Sequence, residues 1–303
     1  MKLLKLIRYK NLVFIVLLQS LIKYVLFEAY QLETTLSDIR FGLLVVATLC
    51  IAAGGYIIND IFDVRIDAIN KADKQIVSKH ISEKMAYNYY LLFTATGVFI
   101  GFYLSNFVGY PGFSALFILL AALLYIYATF LKSVMIVGNG VISFLVASSI
   151  LIVGLFELFP NINSQNIIQH KEVFSILLKY ALFAFLLTLL REIIKDIEDI
   201  NGDQNGGLKT LPILIGRKRT AMIVFVLAAF TTVLILIYMY NTLYRQTIAM
   251  LYFLILIIGP LLYFCVTLFS AEKKETFRKL SSLLKLIMLF GILSLFLYKF
   301  DFV

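Results

Sequence analysis

Long runs of apolar residues, separated by short polar and charged segments, cover almost the whole chain. Most of them approach the roughly 20 residues that a helix needs to cross a bilayer. Because an isolated strand cannot satisfy its backbone hydrogen bonds in lipid, each run is predicted to be a transmembrane helix. The nine predicted spans cover about residues 11–31, 40–61, 85–105, 113–131, 134–157, 173–195, 219–240, 247–269 and 282–299.

Composition supports the same interpretation. Of 303 residues, 61% are hydrophobic and only 15% are charged, whereas a soluble domain carries about a quarter charged residues. The spans leave no room for a separate soluble domain, so residues 1–303 are predicted to form a single polytopic domain. The predicted fold class is an all-α membrane protein, with nine transmembrane helices around a central cavity that opens near the cytoplasmic side.

The net charge of +9 would suit a nucleic-acid partner, but the basic residues follow the predicted topology instead. They concentrate before span 1 and in the loops between spans 2 and 3, 6 and 7, and 8 and 9. The positive-inside rule therefore predicts a multi-pass protein of the cell membrane with a cytoplasmic N-terminus. An odd number of spans then places the C-terminus outside. Neither a nucleic acid nor an obligate protein partner is predicted.

Two acidic stretches stand where apolar runs end: "NDIFDVRID" at residues 59–67 and "KDIEDINGD" at residues 195–203. Both carry the spacing D-x-x-D-x-x-x-D, which places three carboxylates within an arc of roughly 60° if one helix runs through the motif. Each acid costs about 2.5–3.5 kcal/mol near a membrane centre, so a cation must offset the repulsion. The predicted catalytic and metal-binding carboxylates are Asp60, Asp63, Asp67, Asp196, Asp199 and Asp203.

Magnesium is the predicted cation, because it prefers oxygen ligands and commonly bridges carboxylates to phosphates. Two facing acidic motifs could hold Mg²⁺ around one diphosphate, with nearby basic side chains neutralising the remaining charge. The predicted basic set is Lys71, Lys74, Lys132, Lys195 and Arg191.

Polar residues inside apolar runs are further candidates. In span 1, Asn11 and Gln19 are either functional or hydrogen-bonded between helices, and Lys23 is either functional or snorkels to the surface. Tyr125 and Tyr127 precede Lys132 and could face developing cationic charge.

These motifs resemble the UbiA-type intramembrane prenyltransferases. The family's first motif is commonly N-D-x-x-D-x-x-x-D, and its second is commonly D-x-x-D-x-x-x-D. The resemblance covers nearly the whole chain, from "RYKNL" onward. It implies Mg²⁺-dependent transfer of a prenyl group from a polyprenyl diphosphate to a lipophilic acceptor. Asn59 then joins the diphosphate–metal set, and Lys132 and Lys74 match basic positions of the family.

The stretch "NKADKQ" departs from the family pattern N-R-P-x-R-P, since Ala72 and Gln75 stand where prolines are common. Within the family, "REIIKDIEDINGD" and "GGLKTLPILIGRKRT" are most similar to the geranylgeranylglycerol-phosphate geranylgeranyltransferase branch, which makes ether lipids. That similarity implies geranylgeranyl diphosphate as donor and a prenylglyceryl phosphate as acceptor.

Two alternatives stay open at this stage. The acceptor could be aromatic, of the hydroxybenzoate, naphthoate or homogentisate type used in quinone biosynthesis. A cation-coupled transporter also uses intramembrane acids, although it would carry them nearer the middle of the membrane.

Overall fold

The computed structural model describes residues 2–70 and 75–301, and the predicted basic residues Lys71 and Lys74 lie outside these ranges. Within them the chain is helical, and the only β feature is an isolated bridge between Val77 and Ile81. Nine of the described helices are long and apolar enough to cross a membrane. These are spans 1 to 9: Tyr9–Phe27, Asp38–Phe62, Glu83–Phe107, Pro111–Thr129, Val137–Asn161, Ile167–Asn205, Arg217–Leu243, Thr247–Phe269 and Lys274–Phe300.

Shorter helical segments lie before, between and within the spans. Separate α-helices cover Lys2–Leu6, Val64–Asn70 and Leu211–Ile215, and Tyr298–Asp301 ends the described chain. Wider π-helical turns occur inside spans 1, 7 and 8, at Ile22–Phe27, Met239–Leu243 and Leu254–Ile258. Tighter 3₁₀ turns occur at Pro111–Phe113, Leu131–Ser133, Phe159–Asn161 and Ser294–Leu297.

Local sequence explains where several spans begin. The Ser82 side chain accepts a hydrogen bond from the Met85 backbone at 3.3 Å and so caps span 3. Pro111 opens span 4, at a position where its missing N–H group is not needed. Gly216 separates the short helix Leu211–Ile215 from span 7 with φ 87°, a conformation that favours glycine.

The fold prediction of nine membrane-length helices is confirmed, but span 6 differs in length. It was predicted at about residues 173–195 and instead runs for 39 residues, from Ile167 to Asn205. At 1.5 Å per residue it is about 58 Å long, well beyond the roughly 30 Å hydrocarbon core. Span 6 therefore continues beyond its apolar stretch and carries the second acidic motif on its last turns.

Two apolar cores share span 6. One is built mainly from spans 1 to 5 and the first half of span 6, and the other from the second half of span 6 and spans 7 to 9. Spans 2 and 3 approach each other closely at Gly54, where an added Cβ atom would lie 2.5 Å from Thr94 Oγ1. A third, smaller cluster, including Leu6, Ile58 and Val77, supports the helix end that carries the first motif.

The polar residues within span 1 have separate structural partners. Gln19 donates hydrogen bonds to Thr48 Oγ1 at 3.3 Å and to the Ser149 carbonyl at 2.9 Å, so interhelical hydrogen bonding is confirmed for this residue. Of the two alternatives for Lys23, snorkelling is wrong, since the side chain is only 6% exposed and forms a 2.7 Å ion pair with Glu157. A buried acid therefore holds this lysine at the end of the bundle opposite the acidic motifs.

Candidate active site

The first acidic motif begins at the end of span 2 and continues in a separate short helix. Span 2 ends at Phe62, Asp63 has φ −88° and ψ 3°, and a new helix covers Val64–Asn70. The expected single helical face for Asp60, Asp63 and Asp67 is therefore not formed. Because span 2 ends before Asp63, Asp67 lies on a different helix from Asp60.

Basic and amide groups surround the first motif. Arg8 Nη2 lies 2.7 Å from Asp60 Oδ1, and the guanidinium also lies over the Tyr56 ring, 4.9 Å from its centroid. Lys132 Nζ forms an ion pair with Asp63 Oδ2, to which Asn59 Nδ2 also donates a hydrogen bond at 2.6 Å. Asp63 is only 6% exposed, so these donors compensate a buried carboxylate.

The Arg8 guanidinium remains charged in this setting. Burial by itself lowers the pKa of Arg8, but the Asp60 carboxylate and its hydrogen bond raise it, and the net pKa lies above the ordinary value. Arg8 therefore contributes a fixed positive charge to the first motif at any physiological pH.

The second motif stays on one continuous helix, as the spacing requires for a shared face. Asn139, at the start of span 5, donates a hydrogen bond to Asp196 Oδ2 at 2.8 Å. Asp203 is buried near the end of the same helix, and Asp199 lies between them on the shared face. About one turn before Asp196, Glu192 Oε1 contacts Arg191 at 3.0 Å and Lys195 at 2.6 Å.

The two motifs meet at the same end of the bundle. The short helix Val64–Asn70 packs against span 6, and a Cβ atom added to Gly206 would lie 2.5 Å from Ile66 Cγ1. Tyr127 interacts electrostatically with both Asp63 and Asp196, and Lys132 interacts with Asp196 as well as pairing with Asp63. Carboxylates of both motifs therefore lie within electrostatic range of Tyr127 and Lys132, and Lys132 contacts Asp63 directly.

Two further predicted site residues, Asn11 and Tyr125, differ in how they relate to the two acidic motifs. Asn11 donates a 3.3 Å hydrogen bond to the Tyr56 hydroxyl and accepts one of 2.8 Å from Lys285. Tyr125 does not contact these groups, because its ring packs with Phe62 and Tyr90 on an exposed face of span 4. The tyrosine that faces both motifs is Tyr127, two residues and about 200° further along the helix.

Sequence reasoning did not assign a site role to Arg8, Asn139 or Glu192. For Glu192 a signal was present, because positions 192, 196, 199 and 203 continue one helical face with spacings of four, three and four residues. The roles of Arg8 and Asn139 depend on contacts with distant segments, so no local pattern indicated them.

The donor groups present suit magnesium. Within residues 2–70 and 75–301, no three His, Cys, Asp or Glu side chains form a preassembled metal cluster. Mg²⁺ does not require one, since it usually takes one or two protein carboxylates together with water and substrate phosphates. Asp60, Asp63 and Asp196 supply hard oxygen ligands on facing elements, and their present partners are the cationic or amide donors of Arg8, Lys132 and Asn139. The residues therefore fit a metal that arrives with a diphosphate.

In the described part of the chain, nine apolar helices and two acidic motifs meeting at one end of the bundle define an integral membrane protein with a carboxylate-rich site. Residues 24–299 match the UbiA prenyltransferase family, and the chain belongs to this family. It is therefore a multi-pass membrane prenyltransferase.

Similar proteins agree with that assignment. The chain is 33% identical over 257 residues to the digeranylgeranylglyceryl phosphate synthase of Methanosphaera stadtmanae, covering 83% of this chain and 86% of the relative. It is 35% identical over 264 residues to the synthase of Methanobrevibacter smithii, covering 85% and 86%. In fold it is similar to a UbiA homolog from Archaeoglobus fulgidus bound to GPP and Mg²⁺, with a TM-score of 0.57, 17% identity, and coverage of 97% and 99%.

Proposed function

We propose that this protein transfers a geranylgeranyl group from geranylgeranyl diphosphate to the free hydroxyl of a prenylglyceryl phosphate, a step of ether-lipid synthesis. The observation that carries the proposal is the convergence of the two acidic motifs, through Ile66 and Gly206, around Lys132 and Tyr127. The names of the similar synthases support the choice of acceptor.

The diphosphate of the donor binds between the two motifs. Its negative charge is attracted by Arg8 and Lys132, both of which already lie beside motif carboxylates. The carboxylates that would hold Mg²⁺ are Asp60, Asp63, Asp67, Asp196, Asp199 and Asp203. The ion would supply positive charge to stabilise the leaving diphosphate. Asn59 and Asn139 orient the Asp63 and Asp196 carboxylates through hydrogen bonds of 2.6 and 2.8 Å. Lys71 and Lys74 complete the predicted basic set.

The reaction breaks the allylic C–O bond of the donor and forms a C–O bond to the acceptor hydroxyl, whose proton passes to a carboxylate or to the departing diphosphate. Tyr127 lies within electrostatic range of carboxylates of both motifs, and its ring stabilises positive charge on the prenyl carbon. Packed helices and lipid keep water from this carbon. The chain acts as a single domain, with its N-terminus and both motifs on the cytoplasmic side and its C-terminus outside.

Purified protein with radiolabelled geranylgeranyl diphosphate and a panel of acceptors tests this proposal. The expected result is Mg²⁺-dependent product with a prenylglyceryl phosphate, abolished by Asp60→Ala and by Asp196→Ala. Asp38→Ala is the matched control, because Asp38 is an exposed acid at the opposite end of span 2. Product with aromatic acceptors alone would overturn the proposed acceptor. Cation-coupled transport without any Mg²⁺-dependent release of diphosphate would overturn the enzymatic assignment.

A further inference from the structure

One lysine, Lys285, interrupts the apolar stretch of residues 283–293 in span 9. The flanking Leu284 and Ile287 are fully buried, and Lys285 is partly buried between span 9 and its neighbours. Its Nζ atom donates a 2.8 Å hydrogen bond to Asn11 Oδ1 and lies 4.9 Å from the centre of the Phe14 ring. Both partners are neutral, and Lys285 forms no ion pair with a carboxylate of the described residues.

The charged neighbours of Lys285 are also cations. It interacts electrostatically with Arg191 of span 6 and Lys10 of span 1, and span 9 packs against both of these spans. Arg191 Nη1 contacts Glu192, but its Nε atom is buried without a hydrogen-bond partner. Glu192 is moreover shared with Lys195. Glu192 therefore contacts two cations of its own helix, Arg191 and Lys195. The cluster of Lys10, Arg191 and Lys285 carries an excess of positive charge.

Arg191 and Lys285 are partly buried and Lys10 is exposed. An excess of cations around an unused guanidinium donor is the arrangement expected of an anion site. Arg8 and Lys132, the cations that attract the donor diphosphate, pair with Asp60 and Asp63 of the first motif. Arg191, which the sequence predicted in the same basic set, contacts Glu192 instead. The cluster lies instead between spans 1, 6 and 9. Arg191 stands five residues before Asp196 on the same helix, about 7.5 Å along its axis. A second anion held here would lie next to the reaction centre without displacing the diphosphate.

We propose that the cluster of Lys10, Arg191 and Lys285 binds the phosphate of the acceptor, with Lys285 and Arg191 as its principal ligands. This inference rests on the proposed function, because it assigns a role to the phosphate of a prenylglyceryl phosphate. In such a molecule the free hydroxyl lies only a few bonds from the phosphate. Anchoring the phosphate beside Arg191 therefore directs the hydroxyl toward the acidic motifs, and the site would select phosphorylated over neutral acceptors.

Steady-state kinetics of Lys285→Met and Arg191→Gln test the assignment. Loss of one charge-assisted contact should raise KM for prenylglyceryl phosphate by roughly 10- to 100-fold, with KM for geranylgeranyl diphosphate unchanged within about twofold. Lys285→Arg keeps the charge and should restore most of the acceptor affinity. Lys279→Met is the matched control, since Lys279 is exposed on the same helix.

Two further measurements separate the possible failures. With the neutral prenylglycerol as acceptor, wild type and Lys285→Met should have the same KM, because that acceptor carries no phosphate. Direct binding of prenylglyceryl phosphate without donor should weaken in Lys285→Met even if turnover is low. If Lys285→Met and Arg191→Gln fold but leave the acceptor KM unchanged, the phosphate site is overturned and the proposed function is not. The same holds if the KM for geranylgeranyl diphosphate rises as much as the KM for the acceptor. A wild type that neither binds nor converts prenylglyceryl phosphate would overturn the proposed function as well.

Discussion

Lys23 and Glu157 form a buried ion pair whose disruption gives a sharp test of how the bundle is held together. Their side chains are 6% and 0% exposed, and Lys23 Nζ lies 2.7 Å from Glu157 Oε1. Lys23 also donates to the Leu36 carbonyl at 2.5 Å, while the Leu36 N–H donates to Glu157 Oε2 at 2.9 Å. The pair thus connects span 1 to the loop before span 2 and to the end of span 5. Replacing Lys23 by Met leaves a buried, uncompensated carboxylate.

Removing one partner of a buried ion pair typically costs about 3–5 kcal/mol, whereas replacing both by apolar residues of similar volume is often neutral. We therefore expect Lys23→Met to lower the free energy of unfolding by about that amount, and Lys23→Met/Glu157→Leu to recover most of it. The matched control is the pair of Lys299 and Glu28, separated by 3.1 Å but 45% and 58% exposed. Lys299→Met should cost no more than about 1 kcal/mol, because water screens an exposed pair.

The assay is reversible unfolding of the protein in mixed micelles, with activity recovery as the check on refolding. The four variants of Lys23 and Glu157 form a double-mutant cycle, and its coupling energy isolates the pair from each residue's own packing. A loss below about 1 kcal/mol for Lys23→Met would refute the reasoning. So would a double variant less stable than Lys23→Met alone, since the unpaired charge would then not be the cause.

Three further outcomes follow from the site. Asn139→Ala removes a hydrogen bond to the Asp196 carboxylate worth about 1.5–3 kcal/mol, so kcat/KM should fall roughly 10- to 150-fold. Gly140→Ala is the neighbouring control. A fall of less than twofold in Asn139→Ala, matching this control, would contradict the orienting role of Asn139. Gly206→Val forces the short helix that carries Ile66 away from span 6, so this substitution should reduce turnover. Adding Ile66→Ala makes room for the valine and should restore part of the turnover. Equal loss in the single and double variants would show that the two motifs need not touch. Chelation with EDTA should stop release of diphosphate and added Mg²⁺ should restore it, and full activity in EDTA would exclude a divalent metal from the reaction.

Much of the architecture followed from composition and spacing. Apolar runs of membrane length fixed the number of spans, because hydrocarbon excludes any backbone that cannot hydrogen-bond to itself. The repeated acid spacing located both motifs, and for the second motif it also described the helical face correctly. Glu192 lies on the same helical face, so the same spacing could have predicted it as a site residue.

Other features needed the tertiary structure. The helix break at Asp63 was not visible in the acid spacing. The contacts made by Arg8, Asn139 and Lys285 join residues that are far apart in the sequence, by 274 positions for Lys285 and Asn11. The sequence by itself determined which segments enter the membrane and which residue types gather at their ends, since both depend on local composition and helical period. Only the packing of the spans decided which side chains share the site, because periodicity reports the face of a helix and not the neighbour that this face meets.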